Sequence, residues 1–275
     1  MFLALKEIKH EKLRYGLIIA MIVLISYLIF ILTSLALGLA QENTAAIDGW
    51  KIRSAVLNKD SDVSLRQSLL TTDQVNKLTK DKNNAVIAET SIVAKTKGKA
   101  KQASTFIGLN NSQFISKDLK LTSGHKPEND RQVVVDDSFK QYGYKLNDKL
   151  TINSDSTAYT IVGFTHNAKL NISPIVYGTI PTWQKLRGMG NAFGGSAVVS
   201  KQANIDNSDK NLKVYTVTQV INKLPGYTAQ NSTFIFMIGF LMIISLIIIA
   251  VFLYIITIQK LGNYAVLRAQ GSPAK

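Results

Sequence analysis

The sequence predicts a membrane protein in which two transmembrane α-helices flank one folded α+β domain held outside the cytoplasm. The first observation is a pair of runs without Lys, Arg, Asp or Glu, at residues 15–41 and 224–259. Each run contains at least ~20 strongly apolar residues, enough to cross a hydrocarbon core of about 30 Å. The second observation is the polar segment between the runs, which has strand-like stretches of its own and is long enough to bury a core.

These runs set the predicted domain boundaries. We expect a cytoplasmic amphipathic segment at residues 1–14 and a first transmembrane helix at 15–41. An extracytoplasmic domain at 42–232 follows, then a second transmembrane helix at 233–258 and a second cytoplasmic segment, the coupling segment, at 259–275. A cleaved signal peptide is the alternative for the first 40 residues, since Gly38–Ala40 resembles a cleavage site. The apolar stretch of about 24 residues is longer than the roughly 7–15 residues of a signal peptide, which favours a membrane anchor.

The charges beside the spans predict the orientation, because short flanks rich in Lys and Arg stay in the cytoplasm. Residues 41–50, which follow the apolar part of the first run, carry only the acidic Glu42 and Asp48, and the ten residues before Phe234 carry no basic one. The basic flanks lie on the other sides of the two runs, at Lys6, Lys9, Lys12, Arg14, Lys260, Arg268 and Lys275. We therefore expect a multi-pass protein of the cell membrane with both termini in the cytoplasm.

The formal charge of +14 does not predict nucleic-acid binding, because most of the excess lies between the spans rather than on a cytoplasmic face. A membrane surface or an anionic ligand is the better match for this charge. The chain contains no cysteine, which excludes a disulfide framework and sulfur-based metal or nucleophile chemistry.

The middle domain shows short elements of both kinds, which is typical of the α+β class. Thr72–Leu78 has the start signal of a capped helix, and a second short helix is expected near Asp137–Tyr142. A hairpin is predicted from 85–94 and 102–109 around Lys97–Lys99. Further strands are expected at residues 132–135, 149–153, 159–164, 175–180 and 196–200.

No catalytic residues are predicted. The sequence has no phosphate-binding loop of the G-x-x-x-x-G-K-[ST] type, no H-E-x-x-H and no G-x-S-x-G. The three histidines are far apart in sequence, and Asp136 with Asp137 is better explained as a cap of the helix that follows. Neither a metal site nor a catalytic cofactor is expected.

Several segments together resemble the permeases of MacB/FtsX-type ABC transporters. The segment after the second span, Lys260–Gly271, is similar to the family's cytoplasmic pattern R-x-x-E-x-x-x-L-R-A-x-G. The opening Leu3–Arg14 resembles the family's amphipathic N-terminal segment. Four further stretches resemble its outer domain: Leu121–Gly124, Val133–Asp136, Gly143–Ile152 and Tyr159–Phe164.

The resemblance implies a permease that forms a homodimer in the bilayer and binds a separate cytosolic ATPase, whose ATP-driven closure is transmitted through the long helices to the outer domain. The most similar subgroup, the haem-exporter permeases of Gram-positive bacteria, implies haem as the exported substrate. Efflux of an antimicrobial peptide or a lipid-linked compound is an alternative, as is an FtsX-like regulator of an extracellular hydrolase. The family usually has four spans, so we expect the sequence to be a fragment or a truncated product.

The cytoplasmic end of the second helix carries the predicted ATPase-coupling residues. Lys260, Tyr264 and Arg268 are spaced i, i+4 and i+8, which places them on one helix face, and Gly271 with Pro273 would end the helix. With the resemblance, this basic and aromatic face predicts docking to the ATPase. The alternative is a helix end whose basic side chains only reach for the membrane surface.

Two aromatic residues near the outer membrane surface are the predicted ligand contacts. Tyr227 precedes the second span by six or seven residues, and Trp50 follows the first by about ten. A phenolic oxygen can ligate haem iron, and both rings could line a lateral opening for an amphiphile. The alternative for each is the belt of Tyr and Trp found at membrane interfaces in the absence of any ligand.

Overall fold

The computed structural model describes residues 12–269. Its helices are α1 Lys12–Trp50, α2 Thr72–Leu78, α3 Phe114–Asp118, α4 Ile180–Leu186, α5 Val217–Asn222 and α6 Tyr227–Ala269. Its strands are β1 Ser54–Asn58, β2 Leu70–Thr71, β3 Asn84–Lys95, β4 Gln102–Leu109, β5 Leu121–Gly124, β6 Gln132–Asp136, β7 Lys149–Ile152, β8 Tyr159–Thr165, β9 Lys169–Leu170, β10 Ser173–Thr179, β11 Phe193–Gly195, β12 Ala197–Ser200 and β13 Leu212–Thr216. Two 3₁₀ turns cover Lys59–Ser61 and Asp137–Tyr142.

Helices α1 and α6 are long enough to cross a bilayer and continue beyond it. They contain 39 and 43 residues, or about 58 and 64 Å at ~1.5 Å per residue. Their large apolar side chains are exposed, as Phe30 at 75% and Phe236 at 76% illustrate. A core helix of a soluble protein would bury these side chains, so lipid is the environment that this surface fits.

The membrane parts of the two helices pack on each other through branched aliphatic side chains. Residues 12–38 and 229–269 form one compact unit. Side chains from both helices line a narrow apolar gap of about 40 Å³, namely Ile18, Met21, Ile22, Ile25, Ile248, Ile249, Phe252, Leu253 and Ile256. Tyr15 lies near Lys260 at the far end of the same contact, so the helices run antiparallel.

Residues 39–228 form the outer domain, which is built on a mixed eleven-stranded sheet. The strand order is β13-β1-β12-β3-β4-β10-β6-β8-β5, with β7 beside β3 and β8, and β9 beside β10. Strands β4 and β10 are parallel, as are β6 and β8, and the other pairs are antiparallel. β2 and β11 form a separate two-stranded pair.

Hydrophobic side chains are buried on both faces of this sheet. Successive residues of β3 alternate between the two faces, with Ile87 in one core cluster, Ala88 in a second and Val86 in a third. The cluster on the face of Ile87 also contains Ala46, Ile47 and Trp50 from the last two turns of α1. The end of α1 is therefore part of the core of the outer domain.

The predicted fold class is confirmed, since two apolar terminal helices flank a domain of short strands and helices. The predicted hairpin is present as β3 and β4, and α2 begins with a capping box formed by Thr71 and Gln74. Asp136 caps the 3₁₀ turn after β6, as expected, by accepting a hydrogen bond from the Ser138 N–H.

Both long helices extend further into the outer domain than the predicted span limits. α1 continues nine residues past residue 41, because its last turns pack into the core, and α6 begins at Tyr227 rather than near residue 233. Pro225 and Gly226 separate α5 from α6, and Gly226 adopts φ +77°. The predicted strand 175–180 ends one residue earlier, at Thr179, whose side chain caps α4.

Candidate functional site

A cleft of about 640 Å³ opens where the end of α1 meets the sheet, and we call it the outer cleft. Its size lies within the usual range of ligand pockets, ~300–1,000 Å³. Five chain segments supply its lining: Ala46, Gly49, Trp50 and Lys51 from the end of α1; Ile115, Asp118, Leu119 and Lys120 from α3 and the residues after it; Thr165, His166, Asn167 and Ala168 after β8; Tyr177 from β10; and Lys201 after β12.

Trp50 and Tyr177 form the aromatic floor of the outer cleft. The indole N–H of Trp50 donates a hydrogen bond to the Tyr177 hydroxyl at 3.1 Å. Trp50 is 6% exposed and Tyr177 is 2% exposed. Burial raises the pKa of Tyr177 above its ordinary value, so its hydroxyl stays neutral. This bond fastens the last turn of α1 to a central strand of the sheet.

The loop after β8 is held in place by a buried carboxylate. Asp136, at the end of β6, accepts the Ala168 N–H at 2.8 Å with one oxygen and the Ser138 N–H at 2.9 Å with the other. Asn167 adopts φ +53°, a left-handed conformation that Asn tolerates better than most residues. The Thr165 hydroxyl donates to the Lys120 carbonyl at 2.8 Å, which ties the loop to the segment after α3.

The rim of the outer cleft is basic. Three lysines line it, Lys51, Lys120 and Lys201, together with one carboxylate, Asp118. The Lys201 ammonium group lies 2.8 Å from the Asp118 carboxylate, and this contact lowers the pKa of Asp118. His166, also at the rim, is 70% exposed by its side chain. The lining therefore keeps a net positive charge.

An apolar floor beneath a basic rim suits a ligand with a flat apolar body and an anionic edge. The apolar lining consists of the mostly buried Trp50 and Ile115 and the partly exposed Leu119, and the lysine ammonium groups can donate charge-assisted hydrogen bonds to carboxylates. Among residues 12–269, no group of three or more His, Asp or Glu side chains is arranged to hold a metal ion. The outer cleft thus has the chemistry of an amphiphile site.

The two predicted ligand residues occupy different positions. Trp50 lines the outer cleft, but it lies in the domain core rather than at a lipid-facing surface. Tyr227 is the first residue of α6, is partly buried and packs on the same core cluster. The described lining of the outer cleft does not include Tyr227. Sequence reasoning missed Tyr177, Lys120 and Lys201, which carry no local signal of a site.

The predicted coupling residues all lie on one continuous helix. α6 runs through Lys260, Tyr264 and Arg268, so their i, i+4, i+8 spacing places them on one face. The Lys260 ammonium group lies 6.0 Å from the centroid of the Tyr15 ring, at the limit of a cation–π contact. The side chains of Tyr264 and Arg268 lie outside those described, as do Gly271 and Pro273.

Sequence comparison finds proteins that are similar to the whole of this chain. No protein-family model matches the chain. Two proteins described as "Putative hemin transport system permease protein HrtB" are similar to it over 100% of this chain and 77% of their own length, one from Staphylococcus epidermidis at 28% identity and one from Staphylococcus haemolyticus at 26%.

Among solved structures, the chain is similar to the periplasmic region of MacB from Actinobacillus actinomycetemcomitans. The identity is 15% and the TM-score is 0.46, and the match covers 63% of this chain and 95% of that one. The chain is also similar to the extracellular domain of the ABC-type transporter YknZ from Gram-positive bacteria, with 15% identity, a TM-score of 0.41, and coverage of 58% and 85%. Over its whole length, the chain is therefore similar in sequence to proteins described as haemin transport permeases.

Proposed function

We propose that this chain is the permease subunit, or a part of it, of an ABC exporter that extrudes an amphiphilic toxic compound, with haem as the first candidate. The observation that carries the proposal is the similarity of the complete chain to permeases whose description names haemin transport. Two helices suited to a membrane agree with it. ATP hydrolysis is assigned to a separate subunit, because the sequence contains no phosphate-binding loop.

The outer cleft supplies physical support for an amphiphilic substrate. Haem combines a flat apolar ring system with two carboxylates on one edge. The aromatic and aliphatic floor would bury the ring at ~25 cal/mol per Å² of apolar area. Lys51, Lys120 or Lys201 would meet the carboxylates.

The continuity of α1 supports transmission of movement from the cytoplasm to the outer domain. α1 is one helix from Lys12 to Trp50, and Trp50 is both its last residue and part of the cleft floor. A shift of the cytoplasmic part of α1 would therefore reach the floor through a stiff element. In this mechanism, the ATPase docks on the face of Lys260, Tyr264 and Arg268, and two copies of the permease act together.

Sensitivity to haem tests the substrate. Deleting the encoding gene should lower the haem concentration that halves growth, and the wild-type gene should restore it. A cationic antimicrobial peptide provides the comparison, because peptide efflux is the alternative transport function. Sensitisation to the peptide without sensitisation to haem would overturn the haem assignment, and sensitisation to neither would count against an export function.

Substitution of Tyr227 tests a different haem position, at the start of α6 and outside the described lining of the outer cleft. Phenolate ligation to ferric iron gives a visible charge-transfer absorption, and Tyr227→Phe removes the oxygen while keeping the ring. We expect the spectrum of haem bound to the purified protein to change in Tyr227→Phe. Trp50→Phe is the matched control, since it alters the floor of the outer cleft and leaves the Tyr227 oxygen in place. An unaltered spectrum in Tyr227→Phe would reject Tyr227 as the ligand.

Reversal of one charge tests the docking face. Arg268→Glu should reduce co-purification of the ATPase while leaving membrane insertion intact. Lys275→Glu makes the same charge change in the same cytoplasmic segment, beyond the end of α6 as described, and should have little effect. Equal recovery of the ATPase with Arg268→Glu and with the wild type would leave the basic residues with a role at the membrane surface only.

We further propose that both termini lie in the cytoplasm of a cell-membrane protein. Because the chain has no cysteine, single cysteines can report accessibility without background. In intact cells, a membrane-impermeant thiol reagent should label Asn111→Cys in the outer domain but not Ser272→Cys. Labelling of Ser272→Cys from outside would reverse the topology.

A further inference from the structure

The turn between β9 and β10 is strained and carries an exposed apolar side chain. Its two central residues, Asn171 and Ile172, have φ of +51° and +67°. Strands β9 and β10 pair directly on either side of it, through Leu170 and Ser173. Asn is well suited to this left-handed conformation, whereas a β-branched residue is among the least suited. Glycine is the usual second residue of such a turn, so Ile172 is unfavourable for the local backbone.

Two contacts hold this turn against the part of α1 that leaves the membrane. The Asn171 N–H donates to the Asn43 carbonyl at 2.9 Å, and the Lys169 ammonium group pairs with the Glu42 carboxylate. Glu42 and Asn43 directly follow the uncharged run 15–41. That run covers about 40 Å as a helix, close to a bilayer with its headgroup regions. The turn is therefore bound to the first residues of α1 beyond the uncharged run.

The start of α6 lies near the same turn. Asn171 lines a second cleft of about 550 Å³ together with Leu224 and Pro225. These two residues come just before Tyr227, the first residue of α6. The turn thus lies beside the two segments by which the outer domain continues into α1 and α6.

The apolar side chain of Ile172 is exposed at this turn. Ile172 is 44% exposed, whereas its neighbour Leu170 is 2% exposed. We propose that Ile172 inserts into the boundary between headgroups and acyl chains of the adjacent leaflet and so anchors the β9–β10 hairpin on the membrane. Apolar side chains gain free energy at this boundary, and the partner is the lipid leaflet itself. The proposal depends on the membrane topology but not on the substrate.

Anchoring at this point bears on the outer cleft. β10 begins at Ser173, directly after the turn, and carries Tyr177, which accepts the hydrogen bond of Trp50. The floor of the outer cleft is therefore fixed to the membrane by two routes, through α1 and through the hairpin.

Depth measurements with a fluorescent label test the proposal. Ile172→Cys in the otherwise cysteine-free chain is labelled with an environment-sensitive dye and placed in nanodiscs whose acyl chains are brominated. Cysteine has no branch at Cβ, so this change does not add strain to the turn. The matched control is Leu146→Cys, which replaces another exposed apolar residue of the outer domain.

We expect blue-shifted emission and bromine quenching for the label at 172, and quenching by aqueous iodide for the label at 146. Ser173→Cys, beside the turn, repeats the measurement without altering Ile172. Labels at 172 and 173 that iodide quenches as readily as the label at 146, without bromine quenching, would overturn the insertion. An incorrect topology would be detected separately, by the accessibility of Asn111→Cys and Ser272→Cys.

Discussion

The hydrogen bond between Trp50 and Tyr177 predicts a measurable coupling between the end of α1 and the sheet. The donor and acceptor are 3.1 Å apart and both side chains are buried. Tyr177→Phe leaves the indole N–H without its acceptor, which costs about 1–3 kcal/mol. Trp50→Phe removes the donor and part of the ring, so it should cost about 2–3 kcal/mol. The double variant loses the bond only once, which predicts a coupling energy of about 1–2 kcal/mol.

Urea unfolding of the outer domain measures this coupling. The full chain is held in nanodiscs so that the membrane helices stay folded, and the fluorescence of Trp183 reports on the domain. Trp183 is fully buried and is present in all four proteins of the cycle. Free energies of unfolding follow from linear extrapolation. Additive effects of the two substitutions, within about 0.5 kcal/mol, would refute the coupling.

Two further predictions concern the stability of the outer domain. A Cβ at Gly124 would lie 2.0 Å from the Val162 carbonyl oxygen, whereas one at Gly143, with a similar positive φ, would meet open space. Gly143→Ala should therefore lower the free energy of unfolding by about 1–2 kcal/mol, and Gly124→Ala should lower it further, by several kcal/mol. Equal shifts of the urea midpoint in the two variants would contradict this. Burial raises the pKa of Glu89, so its carboxylate destabilises the fold as pH rises through that pKa. Glu89→Gln should have a higher urea midpoint than the wild type at neutral pH, and the difference should disappear at acidic pH. A difference that does not depend on pH would show that ionisation of Glu89 is not its cause.

The membrane helices could be predicted from the sequence because charge alone identifies them. Their ends could not, since a helix that leaves the bilayer is no longer constrained by lipid. After Gln41 the residues are mixed in polarity, and they form a helix because Ala46, Ile47 and Trp50 pack into the core of the outer domain. That packing depends on tertiary contacts that no local pattern records.

Strands bounded by recognisable turn residues were predicted, and strands without such residues at their ends were missed. β3 and β4 were found because Lys97–Lys99 marks a turn, where Gly98 adopts φ +76°. β1 and β13 pair with each other although more than 150 residues separate them in sequence. β1 is five residues long and mostly buried, so it lacks the alternation that predicts a half-exposed strand.

The outer cleft depends on contacts between distant segments even more than the sheet does. The capping role of Asp136 could be predicted, because it concerns residues two positions apart. The second oxygen of the same carboxylate binds the Ala168 N–H, 32 residues away, and this bond positions the loop of His166 at the rim. Trp50 was selected for its distance from a span, yet the contact that gives it a role is with Tyr177, 127 residues further along. Sequence position relative to the membrane can therefore indicate which residues are near a site, but only the strand order determines which of them meet.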